Sequence, residues 1–186
     1  MSELFSIQLQ NRQQQGRDGV WLDLPTTTEQ VQAALRQIGI SSDNPQGLFI
    51  SGYFAEEEKR FAIPYNMVLA SNVDELNFLA SRLETLSTGE RAELNAALQA
   101  PQSELFSIGR ITDFPENVDY YVHLPDVHGP AQLGDYYLNR SGMVDMPEEW
   151  KGGIDTAQFG RYVAQQEQGV FTEYGYLLSN NHRSFS

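Results

Sequence analysis

The chain has no cysteine and only two lysines, Lys59 and Lys151, in 186 residues. Without thiols it can form neither a disulfide nor a thiolate metal site, and a reducing cytoplasm is the expected setting. The lysines and ten arginines face 25 acids, giving a formal charge of −13. A surface so poor in positive charge repels nucleic acid and attracts basic partners. The opening MSELFSIQLQ has no basic start followed by a long apolar run, so no signal peptide is expected. No run approaches the roughly 18 apolar residues that a membrane span needs.

The motifs of common chemistries are missing as well. There is no GxSxG elbow, no GxxxxGK[ST] loop and no GxGxxG turn. With three histidines, a metal site would lean on His123, Asp126 and His128 in HLPDVHG. That spacing spans a proline and matches no metal motif, so the segment reads as a loop with ordinary surface histidines. Paired carboxylates can run glycosidase-type acid–base chemistry. Nothing in the sequence marks one pair as buried, which raising a carboxyl pKa requires. No catalytic residue, cofactor or metal is assigned.

What is present is enough to build a core: 40% hydrophobic and 11% aromatic residues. LFSIQLQ at 4–10 alternates Phe5, Ile7 and Leu9 against Ser6, Gln8 and Gln10, the pattern of a half-buried strand. VWL at 20–22 reads as the return strand. Thr26 with Glu29 forms a capping box for a helix carrying Val31, Ala34, Leu35 and Ile38, stopped by Gly39. GLFISGYF at 47–54 is a third strand, which completes a mixed unit over 1–61.

The part over 62–102 reads as helical. Ser71 with Asp74, or Asn72 with Glu75, can start VDELNFLASRLETL, whose stripe is Leu76, Leu79, Leu83 and Leu86 with Phe78 opposite. A second helix, capped by Ser87 and Glu90, turns Leu94, Ala97 and Leu98 inward. From 103 to 186 the pattern is mixed again. VDYYVHL at 118–124 and GVFTEYGYLLS at 169–179 read as strands, and PAQLGDYYLNR as helical. Asp155 and Gln158 cap a helix carrying Phe159, Tyr162 and Val163, with Ile154 and Phe159 as its staple. The tail NNHRSFS reads as polar and frayed. The fold class is α+β with antiparallel strands. The hexamer SELFSI occurs at 2–7 and 103–108, but its flanks differ, and one hexamer does not make a repeat.

The acids are unevenly placed. Within 113–149 lie Asp113, Glu116, Asp119, Asp126, Asp135, Asp145, Glu148 and Glu149 against a single base, Arg140. They are strung out among aromatics instead of forming one acidic block, so they read as charges held on a folded surface. Composition alone leaves that surface an ordinary solvated face.

The order and spacing of several short motifs resemble the ArdA antirestriction family. They are VWLDLP at 20–25, VDELNFLASRLETL at 73–86, LGDYYLNRSGMVDMPEEWKGGIDTAQFGRYV from Leu133, and FTEYGYLL near the end. The third of these resembles the family's antirestriction region. One departure is FISGYF, where family members often carry an acidic FI-x-DYE strand. The resemblance implies an elongated protein of three small domains (1–61, 62–102 and 103–186) paired into a homodimer in the cytoplasm of a bacterial host. It implies a non-enzymatic DNA mimic, carried by mobile genetic elements, that occupies the DNA groove of type I restriction-modification enzymes. The eight acids would then stand in for phosphates. Leu133, Tyr136, Tyr137, Met143 and Met146 would fix their backbone and contribute to a dimer contact. Two other readings stay open: an acidic adaptor that recruits a basic protein without blocking DNA, and a carboxylate hydrolase.

Overall fold

The computed structural model describes residues 3–14, 16–101, 103–117 and 120–179. They make a mixed α+β protein with two antiparallel three-stranded sheets. The chain divides into two compact units, Met1–Ser87 with Leu105–Pro115 and Thr88–Glu104 with Glu116–Ser186. No helix among the described residues is long and apolar enough to cross a membrane.

In the first unit β1 (Phe5–Asn11) runs between β2 (Val20–Leu24) and β3 (Leu48–Phe54), antiparallel to both. The alternation seen in the sequence decides which side is buried: Ile7 and Leu9 are fully enclosed while Gln8 and Gln10 look the other way. The helix α1 (Thr28–Gln37) turns Ala34 and Leu35 into the core. Gly39, at φ +72°, follows it in the left-handed conformation that favours glycine. Asn11, at the end of β1, donates to the Ile38 carbonyl at 2.9 Å and accepts from the Gln13 amide, which locks the strand end to the helix end.

The cap of α1 differs from the expectation. Thr27, not Thr26, accepts the Gln30 amide. Thr26 is held elsewhere: its amide donates to Asn77 Oδ1 at 2.8 Å and its carbonyl accepts from Asn77 Nδ2 at 3.0 Å. A short helix α2 (Tyr65–Leu69), which the sequence pattern does not announce, precedes α3 (Val73–Glu84). Of the two starts considered for α3, Asn72 is the cap, accepting the Glu75 amide at 2.9 Å. Leu76, Leu79 and Leu83 are fully buried, and Phe78 is 60% exposed on the opposite side. The helix α4 (Thr88–Gln99) belongs to the second unit; the chain then rejoins the first with α5 (Ile108–Thr112), whose Ile108 and Ile111 are buried.

The repeated hexamer adopts two structures. In the first copy Phe5 is a buried strand residue paired with Leu24. In the second, Phe106 is 66% exposed and Ser107 caps α5 by accepting the Arg110 amide at 3.3 Å. The same local string is a strand where two partners supply its ladder and a helix start where it precedes GRIT, so tertiary context decides.

The second unit carries the sheet β4 (Tyr121–Leu124), β6 (Gly175–Ser179), β5 (Val170–Thr172), with β6 in the middle. Val118 and Asp119, at the start of the expected strand, lie outside the described residues, as does the tail at 180–186. The expected closing strand at 169–179 is in fact a hairpin: Thr172 pairs with Gly175, and the Thr172 hydroxyl donates to the Gly175 carbonyl and accepts the Tyr174 amide. Gly175, at φ +115°, cannot be replaced without strain. In α4, Leu94, Asn95, Ala96 and Ala97 are buried, whereas Leu98 is only half-buried. The core gathers Val127, Leu133, Tyr137, Ala164, Tyr176 and Leu178, with Phe159, Val163 and Phe171 against it.

Candidate acidic interaction surface

The segment richest in spaced acids starts on α6 (Pro130–Asp135), with Pro130 opening the helix in the position where its missing amide costs nothing. Its last residue leads directly into a π-helical turn, Tyr136–Arg140, closed by the Ser141 amide on the Tyr136 carbonyl at 2.8 Å. The pattern of PAQLGDYYLNR is helical throughout, and the structure widens its second half into this turn. The wider turn still places Leu138 and Tyr137 inward. After Gly142, at φ +70°, the chain runs without regular structure to the short α7 (Glu148–Lys151). Asp155 then caps α8 (Thr156–Glu167) by accepting the Gln158 amide at 3.0 Å, which is the Asp155 half of the expected capping box. On α8, Phe159 and Val163 pack on the core, but Tyr162 faces solvent.

Two contacts make this framework stiff. First, α6 and α8 cross at backbone distance. A Cβ on Gly134 would sit 1.9 Å from the Thr156 carbonyl, and one on Gly160 would sit 1.8 Å from the Pro130 carbonyl. Only glycine fits on both sides. Second, Glu167 at the end of α8 accepts hydrogen bonds from two phenols. The Tyr137 hydroxyl donates to its Oε1 and the Tyr176 hydroxyl to its Oε2, the latter at 2.8 Å. Burial, and then its own hydrogen bond to Glu167 and that carboxylate's charge, push the Tyr176 phenol far above the ordinary tyrosine range, so it stays a proton donor. The clamp joins the π-turn, α8 and β6, so Asp135 rides on a fixed helix, and the connection that carries Asp145, Glu148 and Glu149 is anchored at both ends, by the π-turn and by α8.

Asp126, Asp135, Asp145, Glu148 and Glu149 are exposed on the second unit, as is Glu116; Asp113 is exposed on the first. Asp119 lies outside the described residues. Asp135 is steadied by the Asn139 amide at 2.8 Å and faces Arg140 at 3.7 Å. Glu148 pairs with Lys151 at 2.8 Å, where the lysine stem is largely covered and the glutamate is not. The Asp135–Arg140 pair is exposed on both sides, and such pairs are worth about 0–1 kcal/mol, so an incoming cation can replace it. Asp126, Asp145 and Glu149 make no ion pair among the described residues.

Of the residues expected to support the acids and a dimer contact, Leu133 and Tyr137 are core residues. Tyr136 and Met146 are half-buried, the former under the Arg140 guanidinium at 5.5 Å. Met143 is 65% exposed and is the member of the set most open to a partner. His123 donates from Nε2 to the Tyr174 carbonyl at 2.7 Å, tying β4 to the hairpin turn. Among the described residues no three His, Asp or Glu side chains gather as metal ligands. A cleft of about 450 Å³ in the second unit, between α4 and the sheet, holds a single acid, Glu104, which accepts from the Tyr120 hydroxyl.

Glu167 and the two glycines were not named from the sequence. Glu167 had no local signal, because its partners lie 30 and 9 residues away. Gly160 did have one: a glycine in a helix interior costs about 1 kcal/mol relative to alanine and so calls for a packing reason.

In comparisons with known proteins, the model of one family, described as antirestriction protein (ArdA), matches residues 15–178. No curated protein matched the chain.

Proposed function

The chain belongs to the ArdA antirestriction family, and from that premise we propose that it is a DNA mimic that inhibits type I restriction-modification enzymes by occupying their DNA-binding groove. The observation that carries the reading is the placing of exposed acids around a stiff support: Asp135 is on the pinned α6, Asp126 precedes it, and Asp145, Glu148 and Glu149 lie on the connection between the π-turn and α8, both held by the Gly134–Gly160 crossing and the Glu167 clamp. B-DNA presents one charge per roughly 1.7 Å of axis, and proteins that hold it meet it with arrays of Lys and Arg. Carboxylates at fixed positions lose little entropy on docking against such an array. A surface of opposite potential also speeds the encounter. Asp113, Glu116 and Asp119 belong to the same set of phosphate surrogates.

In this reading the protein is not an enzyme and needs no cofactor. It works in the cytoplasm of a bacterial host as a homodimer of three-part chains (1–61, 62–102 and 103–186), with Met143 available to the dimer contact. A competition assay tests it. The chain and duplex DNA should exclude each other from the methyltransferase core of a type I enzyme. Simultaneous binding of both would identify an adaptor instead.

A further inference from the structure

We propose that the solvent-facing side of the first unit's sheet is a platform for arginine side chains of a basic partner protein. Taking that partner to be the DNA-binding enzyme of the functional reading, the contact itself is argued from the sheet. On a three-stranded sheet with one face on the core, the other face is ordinarily polar. Here Gln8, in the central strand, is opposite Trp21 on one side and Gly52 on the other. A Cβ on Gly52 would lie 3.0 Å from Cη2 of the Trp21 ring, so the indole lies across the middle strand onto bare backbone. Trp21 remains 50% exposed, and Phe54, two residues beyond Gly52 on the same side, is 56% exposed.

The same face already holds one guanidinium. Arg12 lies over the Phe49 ring, 5.2 Å from its centroid. Arginine is planar, weakly hydrated for a cation, and stacks on aromatic faces, tryptophan best of all. An aromatic platform therefore offers such a partner attraction without adding to the chain's −13 charge. That charge disfavours stacked nucleic-acid bases as the occupant.

The test compares Trp21→Ala/Phe54→Ala with Trp21→Phe/Phe54→Tyr in binding to the methyltransferase core. Roughly tenfold weaker binding is expected for the alanine pair and about twofold or less for the aromatic pair. The slope of affinity against salt should match the parent, because no ion pair is removed. A folded alanine pair that binds like the parent overturns the platform, and so does an aromatic pair that loses as much as the alanine pair. A second arm needs no enzyme. In a Trp150→Phe background, the Trp21 indole Nε1–H resonance is followed while a hexa-arginine peptide is added, with a hexa-glutamate peptide as control. A saturable shift with arginine alone is expected. No shift, or a shift that follows protein concentration alone and so marks a second copy on the face, overturns the platform. If Trp21 responds but the parent chain never competes with DNA, the functional reading fails and the platform stands.

Discussion

Asn77 on α3 grips the backbone of Thr26 with both ends of its carboxamide, accepting the amide at 2.8 Å and donating to the carbonyl at 3.0 Å. This two-bond clasp spans 51 residues and fixes the turn between β2 and α1 against α3. Asn77→Ala leaves a partly buried amide and carbonyl unpaired, and a loss of about 2–3 kcal/mol is expected in urea unfolding of the first unit. Asn77→Asp keeps an acceptor for the amide but turns a carboxylate oxygen toward the carbonyl, and at least half of that loss is expected. A stability equal to the parent in both variants would mean the clasp contributes nothing net.

Alanine normally stabilises a helix over glycine by about 1 kcal/mol. At Gly160 the sign should reverse, because the new Cβ would meet the Pro130 carbonyl at 1.8 Å and the Gly134 amide nitrogen at 2.9 Å. Gly160→Ala is expected to cost about 3 kcal/mol through forced separation of α6 and α8. For a unit of this size that lowers the midpoint of thermal unfolding by roughly 10 °C or more. Gly89→Ala, on α4 with nothing within 4 Å of the added Cβ, is the control and should be neutral or slightly stabilising.

Burial pushes the Tyr53 phenol up to about 12, and the positive charge of Arg60 only partly offsets it. The unfolded phenol titrates near 10. Between those values the folded state holds a proton that the unfolded state has released, so stability should be flat below about pH 10 and fall as pH rises toward 12. Tyr176, raised in the same direction, adds to the alkaline decline. Tyr53→Phe should remove roughly 2 kcal/mol of that decline while leaving stability at pH 7–9 near the parent value. Chemical denaturation at a series of pH values measures this. An unchanged alkaline limb in the variant would contradict it.

Much of the fold was legible because its elements are strongly periodic. The alternation of Phe5, Ile7 and Leu9 and the stripe of Leu76, Leu79 and Leu83 both survive in the structure. The cap of α1 slipped by one residue: the Thr26 backbone is clasped by Asn77, far along the chain, its hydroxyl meets the Gln30 side chain, and Thr27 takes the Gln30 amide. The β5–β6 hairpin read as one strand because Glu173 and Tyr174 carry no turn signal of their own and only Gly175 marks the reversal. Helices α2 and α5 have five residues each, too few to show a period. In the candidate surface the acids could be read as residue types, together with the capping box at Asp155. Their support could not, since Glu167, Tyr137 and Tyr176 meet only after folding.

The central claim is that exposed carboxylates of the 135–149 segment stand in for phosphates. The most direct measurement is the concentration of chain needed to displace duplex DNA from a type I methyltransferase core, for the parent and for Asp145→Lys/Glu148→Lys/Glu149→Lys, over a range of salt. With the fold intact by circular dichroism, the triple variant should need about 100-fold more protein at low salt, and the parent's advantage should shrink as salt rises. A folded triple variant that displaces DNA as well as the parent, or displacement by the parent that ignores salt, would contradict the account.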